Sequence, residues 1–275
     1  MLDKCPFCDS GHIQKNGKYK DVQRYKCLDC TRYFCDRSNT IFSSTKLSPS
    51  QLRALILLII DDAKLSLIKD SLHLSSKTVY LWRMKIFKAC SELNKQVILK
   101  GKVWIDEFLV PVNKKYLVTK DKYKKFRGQS RNQIVVTCGV DEWENKYAEI
   151  VCKGHITSNE CLMTYGKHIE PGSTLIHDGI FSHDKLVQQL HLTSEIHKSV
   201  VKSDLKYMQP INSFCAQIER NLTIHIGIND ENLQDYLSWI VYKSSLTAKN
   251  IEQKIRLLEA TCFKNKMIYR VKDRW

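Results

Sequence analysis

Cys5, Cys8, Cys27 and Cys30 form two Cys-x-x-Cys knuckles with eighteen residues between them, a spacing suited to one tetrahedral zinc ion. Each knuckle offers two thiolates from a tight turn, and the stretch between is long enough to form a hairpin that returns the second pair to the first. Turn-formers and a lysine frame both pairs: Pro6 and Asp9 around the first, Lys26 and Asp29 around the second. A zinc ribbon is therefore expected over residues 1–45. Short β-like pieces fit it at His12 to Gln14, Gln23 to Lys26 and Tyr33 to Phe34, with a turn expected at Asn16-Gly17-Lys18. The other seven cysteines are scattered singly, mostly among apolar neighbours, which reads as buried thiols in a reducing compartment.

The chain of 275 residues is 43% apolar, enough for a large core beside small modules. Its 44 Lys and Arg against 29 Asp and Glu give a formal charge of +15, which favours phosphate-rich partners, nucleic acid above all. Residues 1–100 are the more basic part, with 18 Lys and Arg against 9 Asp and Glu. The longest apolar run, Leu52 to Ile60, is broken by Arg53 and falls well short of the roughly 20 residues of a membrane span. The expectation is a cytoplasmic protein without a membrane partner.

On the ribbon, Lys15, Lys18, Lys20, Arg24, Lys26 and Arg32 supply a basic face, read as a phosphate grip. Beyond it, residues 46–98 have the pattern of a helix-turn-helix-like DNA-binding segment. Ser48-Pro49-Ser50 starts a helix carrying Leu52, Leu55, Leu58 and Ile59. A second helix is expected over Leu65 to Leu72, and Ser75 or Ser76 caps a third with Val79, Leu81, Trp82, Met84 and Phe87. Ser76, Lys77, Thr78, Tyr80 and Arg83 would line its exposed DNA-reading face. An ordinary helical hairpin is the competing reading.

From residue 99 the pattern changes to α/β order. Strands are expected over Lys102 to Val112, Gln133 to Val140, Lys146 to Cys152 and Ser173 to His177, with a weak one near Glu195. Helices are expected over Ser158 to His168, Asp184 to Gln189 and from Ile211 onward. This domain runs to residue 245, and residues 246–275 form an amphipathic helical tail.

Asp106 lies within the apolar run Val103-Trp104-Ile105-Asp106-Glu107-Phe108, where a charge is unfavourable unless something pairs with it. Asp178 ends Thr174-Leu175-Ile176-His177, with Gly179 directly after it. Two carboxylates at matching points of neighbouring strands make a site for magnesium, a hard cation that takes few protein oxygens. A third ligand would come from a helix bearing Asn212 and Glu219. Seven residues separate these two, so one helix face holds both about 10 Å apart and one ion cannot take both. Carboxylate chemistry favours Glu219. Glu107 points to the other face of the strand and reads as an edge or surface carboxylate. Between the first two strands, Lys114, Lys115, Lys120, Lys122, Lys124, Lys125, Arg127 and Arg131 interleave with Tyr116, Tyr123 and Phe126, a composition that reads as a clamp on the DNA backbone.

Over about residues 4–245 the chain resembles the zinc-ribbon transposases of small bacterial insertion sequences. The resemblance rests on CPFC, CLDC, RYKCLDCTRYF, VWIDEFLV, LIHDGIFSH and INSFCAQIERNL followed by LQDYLSW. It implies a ribonuclease H-like catalytic domain with an Asp-Asp-Glu or Asp-Asp-Asn site, in which Asp106 and Asp178 hold the metal and Asn212 takes the third position. Relatives usually carry a lysine seven residues after that position, where this chain has Glu219 with Arg220 beside it: either Arg220 substitutes for the lysine's phosphate contact, or Glu219 has taken over metal binding, or this copy is impaired. The implied activity is cleavage and strand transfer of double-stranded DNA, at the element ends and a target, by a homo-oligomer using two magnesium ions. Asp106 would bridge both ions, Asp178 would hold one, and Asn212 or Glu219 the other. The competing functions are a non-catalytic zinc-ribbon regulator derived from a transposase and a plain structure-specific nuclease.

Overall fold

The computed structural model describes residues 3–19, 22–111, 133–198, 206–225 and 228–264. The chain divides into two units, Met1–Ala89 with Lys249–Trp275, and Cys90–Ala248.

In the first unit, β1 (Ile13–Tyr19) pairs antiparallel with β2 (Val22–Cys27), and β3 (Tyr33–Phe34) adds to β2. The turn expected at Asn16-Gly17-Lys18 is instead a bulge inside β1. The register slips between Lys15, opposite Tyr25, and Lys18, opposite Gln23. Gly17 takes the extra length at φ +64°, a left-handed conformation that suits glycine. Gln23 Nε2 donates to the Gly17 carbonyl at 2.8 Å, holding the bulge. The ribbon core is small: Cys5, Tyr25, Cys27 and Phe34 are buried, with the Tyr25 and Phe34 rings stacked at 5.6 Å.

α1 (Pro49–Ile60) begins as its sequence predicts, with a reciprocal cap in which Ser48 accepts from the Gln51 amide and the Gln51 side chain accepts from Ser48. α2 (Leu65–Leu72) ends in left-handed His73, and Ser75 Oγ accepts the Thr78 amide at the start of α3 (Ser76–Lys95). Lys77 is exposed. Arg83 is not: only 4% of it is accessible, and its guanidinium donates to the Ala63 carbonyl at 2.9 Å. Buried Trp82 and Met84 flank it, so its stem is drawn under the helix and its charge ties α3 to the α1–α2 connection. That removes Arg83 from the expected DNA-reading face. The tail helix α8 (Ile251–Lys264) buries Ile255, Leu258 and Cys262, sets Phe263 against Phe42 with ring centroids 4.7 Å apart, and pairs Glu252 with Arg53 of α1.

The second unit is a five-stranded mixed sheet. β4 (Lys102–Pro111), β5 (Gln133–Asp141) and β6 (Lys146–Lys153) form an antiparallel meander, and β7 (Thr174–His177) and β8 (Thr193–Ile196) lie parallel on the far side of β4, in the order β6-β5-β4-β7-β8. This is the ribonuclease H-like arrangement implied by the resemblance. α4 (Ser158–Tyr165) and α5 (Asp184–Gln189) make one layer. Tyr165, Cys161 and Leu186 pack there on Val103, Ile105 and Leu175. α6 (Gln209–Ile224) and α7 (Leu233–Ser244) make the other, with Ile211, Phe214, Ile218 and Leu237 on Val136, Cys138 and Ile176. β5, central and covered on both faces, is buried from Ile134 to Asp141, a continuous apolar run rather than an alternating one.

Candidate active site

Period-two alternation along β4 sends Val103, Ile105 and Glu107 to the α4 layer, and Trp104, Asp106 and Phe108 to the α6 layer. β7 runs parallel to β4 with Trp104 opposite Ile176. Asp106 lies two residues beyond Trp104 on β4, and Asp178 directly follows the last residue of β7, so both stand toward the same end of the sheet. The charge of Asp178 is felt at Asp106, and Asp178 Oδ1 lies 3.8 Å from His183 Nδ1. Each has one oxygen tied to local backbone: Asp106 Oδ1 accepts the Glu107 amide at 2.9 Å and Asp178 Oδ1 the Ile180 amide at 3.1 Å. Among the described residues the second oxygen of each makes no hydrogen bond.

Burial pushes the Asp106 carboxyl up to about 6, with the charges of Glu107 and Asp178 adding to the shift. A carboxylate under that load, beside a second one, is a fit for a divalent cation. The sign has a measurable consequence. A carboxyl whose pKa is higher folded than unfolded destabilises the fold once ionised, so the penalty is full above pH 6 and fades as the pH falls toward 4. A rise of about two units corresponds to about 3 kcal/mol. Asp106→Asn is therefore expected to raise the stability of the metal-free protein at pH 7 by up to that amount and by nothing at pH 4, read by thermal melting at both pH values. Equal melting shifts at the two pH values would contradict it.

α6 crosses the face of the sheet that bears Asp106. Trp104 Nε1 donates to the Tyr207 carbonyl at 2.8 Å, at the entrance to the helix. Seven residues on, Lys146 Nζ of β6 sits 5.6 Å from the Phe214 ring. α6 lies against β4 and β5, and its Cys215 packs against the core cluster that holds Cys138, the residue directly opposite Asp106. Asn212 and Glu219 share a flank with Cys215, one turn to either side, and both are exposed. Arg220 is exposed on the same helix.

Glu107 departs from the sequence reading. It does face away from Asp106, but its side chain is only 4% accessible. Its Oε1 accepts from Tyr165 Oη at 2.9 Å and meets His183 Nε2 at 3.1 Å, because α4 closes over that face. His177 and His183 were missed although both stand in LIHDGIFSH. Their signal was a polar pair with i, i+6 spacing around a glycine turn, which sequence alone leaves as turn chemistry.

At the other end of the chain, Cys5 and Cys30 Sγ stand 3.7 Å apart, Cys8 and Cys27 Sγ 3.6 Å, and all four lie within 4.8 Å of one another. Tetrahedral zinc with bonds of about 2.3 Å sets sulfurs about 3.8 Å apart, so the set fits that ion. The Cys30 amide donates to Cys27 Sγ at 3.4 Å, and backbone donation of this kind lowers the Cys27 thiol to about 7. Asp29 of the second knuckle ties to Ser10 and His12 beside the first, at 2.5 and 3.2 Å.

Lys15, Lys18 and Arg24 are exposed on β1 and β2. Arg24 and Lys26 lie over the Tyr33 ring at 5.6 and 5.7 Å from its centroid. The basic segment with Lys122, Lys124, Lys125 and Arg127, and Lys20 of the ribbon, fall outside the described residues. No helix among the described residues is long and apolar enough to cross a membrane.

Residues 98–245 match the family described as the ISXO2-like transposase domain. The chain is 26% identical over 251 residues to the "Uncharacterized protein in transposable element ISH50" of Halobacterium salinarum, covering 85% of this chain and 82% of that one. It also aligns with a pre-cleavage Mos1 transpososome (TM-score 0.26, 13% identity, 82% of this chain and 81% of that one). A Mos1 mariner paired end complex with Mn gives the same score and identity over 76% and 79%. Both overlaps are too slight to carry an argument.

Proposed function

The chain belongs to the ISXO2-like transposase family, and on that premise we propose that it binds the terminal repeats of its own insertion sequence and cuts and joins the DNA strands there. The single observation that carries this reading is the parallel pairing of β4 with β7, which brings Asp106 and the end of β7, where Asp178 follows, to the same end of the sheet. Asp106 and Asp178 would hold a divalent cation, which would supply Lewis-acid activation of an oxygen nucleophile and stabilisation of the leaving oxygen at phosphorus. The chain's own part is to fix the two carboxylates on rigid strands and to present phosphate-binding charge around them.

Asn212 is the third donor, in the position the family resemblance gives it, on the helix whose entrance Trp104 of β4 holds through the Tyr207 carbonyl. Glu219 then takes no part at the metal, and Arg220 next to it serves as a phosphate contact. Asn212→Ala is expected to lower strand cleavage by about 10²-fold, the scale of losing one positioned polar group at a reacting centre, and Glu219→Ala by less than about threefold. The reverse order of effects would reassign the third position.

At the N-terminal end, zinc on Cys5, Cys8, Cys27 and Cys30 sets the ribbon, and Lys15, Lys18 and Arg24 grip the backbone of the element ends. Lys77 of α3 and the segment with Lys122, Lys124, Lys125 and Arg127 add further phosphate contacts. The full chain acts as a homo-oligomer that pairs two ends. Purified protein given a labelled duplex of one element end and Mg²⁺ should nick the strand at the end and join it to a second duplex. Tight binding of the ends with no strand scission in Mg²⁺ or Mn²⁺ would instead make it a regulator derived from a transposase.

A further inference from the structure

Behind the two aspartates, in the α4 layer, lies a buried network that the reaction itself does not call on. Glu107 Oε1 receives Tyr165 Oη and His183 Nε2. Tyr165 Oη also reaches the Asp106 carbonyl at 3.0 Å. His183 Nδ1 lies 3.0 Å from His177 Nδ1 and 3.8 Å from Asp178 Oδ1. His177 Nε2 meets Ser194 Oγ at 2.9 Å. His177, His183 and Tyr165 are each no more than 1% accessible.

The Gly179 amide donates to His177 Nδ1 at 3.2 Å. His183 thus bridges His177 through one ring nitrogen and Glu107 through the other, inside the protein.

A buried carboxyl–imidazole pair is a poor source of stability, since its desolvation offsets its attraction. Its reach gives it another use. β7 ends at His177, so strand hydrogen bonding does not hold Asp178. The chain turns at Gly179, whose φ of +82° and contact with Ile196, where a Cβ would come within 2.7 Å of Cγ2, exclude a side chain. One side of Asp178 is thus anchored by His177, and His183 lies alongside its carboxylate.

We propose that Glu107 and His183 form a positioning unit that sets the Asp178 carboxylate and, through Tyr165 and the shared peptide, the Asp106 main chain before any cation arrives. The inference rests on the metal site proposed above. Neither residue touches substrate.

The test is Mn²⁺ binding to the full chain, followed by the electron paramagnetic resonance of the free ion, in wild type, Glu107→Gln, His183→Asn and the double variant. Each single change is expected to weaken Mn²⁺ binding about tenfold, the usual scale for losing an outer partner of a metal ligand, with binding of element-end DNA unchanged. Because the pair acts as one unit, the double variant should be no weaker than either single variant within about twofold. Folded variants with wild-type Mn²⁺ affinity, or two losses that multiply, would overturn the proposal. If the charge changes prevent folding, Tyr165→Phe decides. It removes one hydroxyl and keeps the ring, and should weaken Mn²⁺ binding about threefold, scaled down from the same outer-partner range; unchanged affinity would overturn the proposal. Wild-type Mn²⁺ binding that survives Asp106→Ala would instead fault the metal site itself, and the inference with it.

Discussion

Asp106→Ala is expected to slow strand cleavage by at least about 10³-fold, roughly 4 kcal/mol of lost transition-state stabilisation, while element-end binding stays within about twofold of wild type. Asp106 sits on the central edge of an antiparallel meander, with Phe108 and Trp104 beside it and Cys138 directly opposite, so its backbone is fixed by nine-residue pairing whatever its side chain. Truncation therefore removes a donor and leaves the frame. The ribbon proposed to grip DNA belongs to a different unit of the chain, which is why binding is expected to survive. Removing the charge also relieves a buried carboxylate, so the inactive variant should melt no lower than wild type at pH 7. An Asp106→Ala protein that cleaves at the wild-type rate removes this residue from the chemistry.

The second large effect is expected at the four-cysteine cluster proposed to hold zinc. Cys27→Ser should empty the ribbon of zinc, unfold residues 1–45 and weaken element-end binding by at least about tenfold. Structural zinc contributes on the order of 10 kcal/mol to modules of this size, and the apolar core beside it consists of little more than Tyr25, Phe34 and part of Ile13. That core cannot replace the metal. Cys27 is also the knuckle thiol that receives the Cys30 amide, so serine loses both the ligand and the turn that presents it. Metal analysis of the purified variant, with amide spectra of the ribbon, checks this. A zinc-free protein whose ribbon amides remain dispersed would contradict it.

Where hydrophobic pattern alone decides local structure, the sequence was legible. α2 and α5 lie where their apolar spacing puts them, and α1 starts at the Ser48 cap for the reason its residues suggest. Asp106 stood out because a charge within an apolar strand demands a partner, and Asp178 because glycine follows it at a strand end. Legibility failed where a residue's fate is set by an element distant in the chain. Glu107 looked like surface until α4 covered it, and Arg83 looked like a DNA contact until it reached the Ala63 carbonyl. Asn16-Gly17 reads equally well as a turn or as a bulge, and the pairing of Tyr25 with Lys15 settles it as the latter. The tail helix, amphipathic but without an assigned partner in the sequence, finds one in α1.

The most direct test of the shared metal site is anomalous diffraction from crystals of the protein soaked in Mn²⁺. The account predicts a peak within coordination distance of both Asp106 and Asp178, on the face of the sheet that carries α6. A peak bound by only one of the two carboxylates, or by neither, would contradict it.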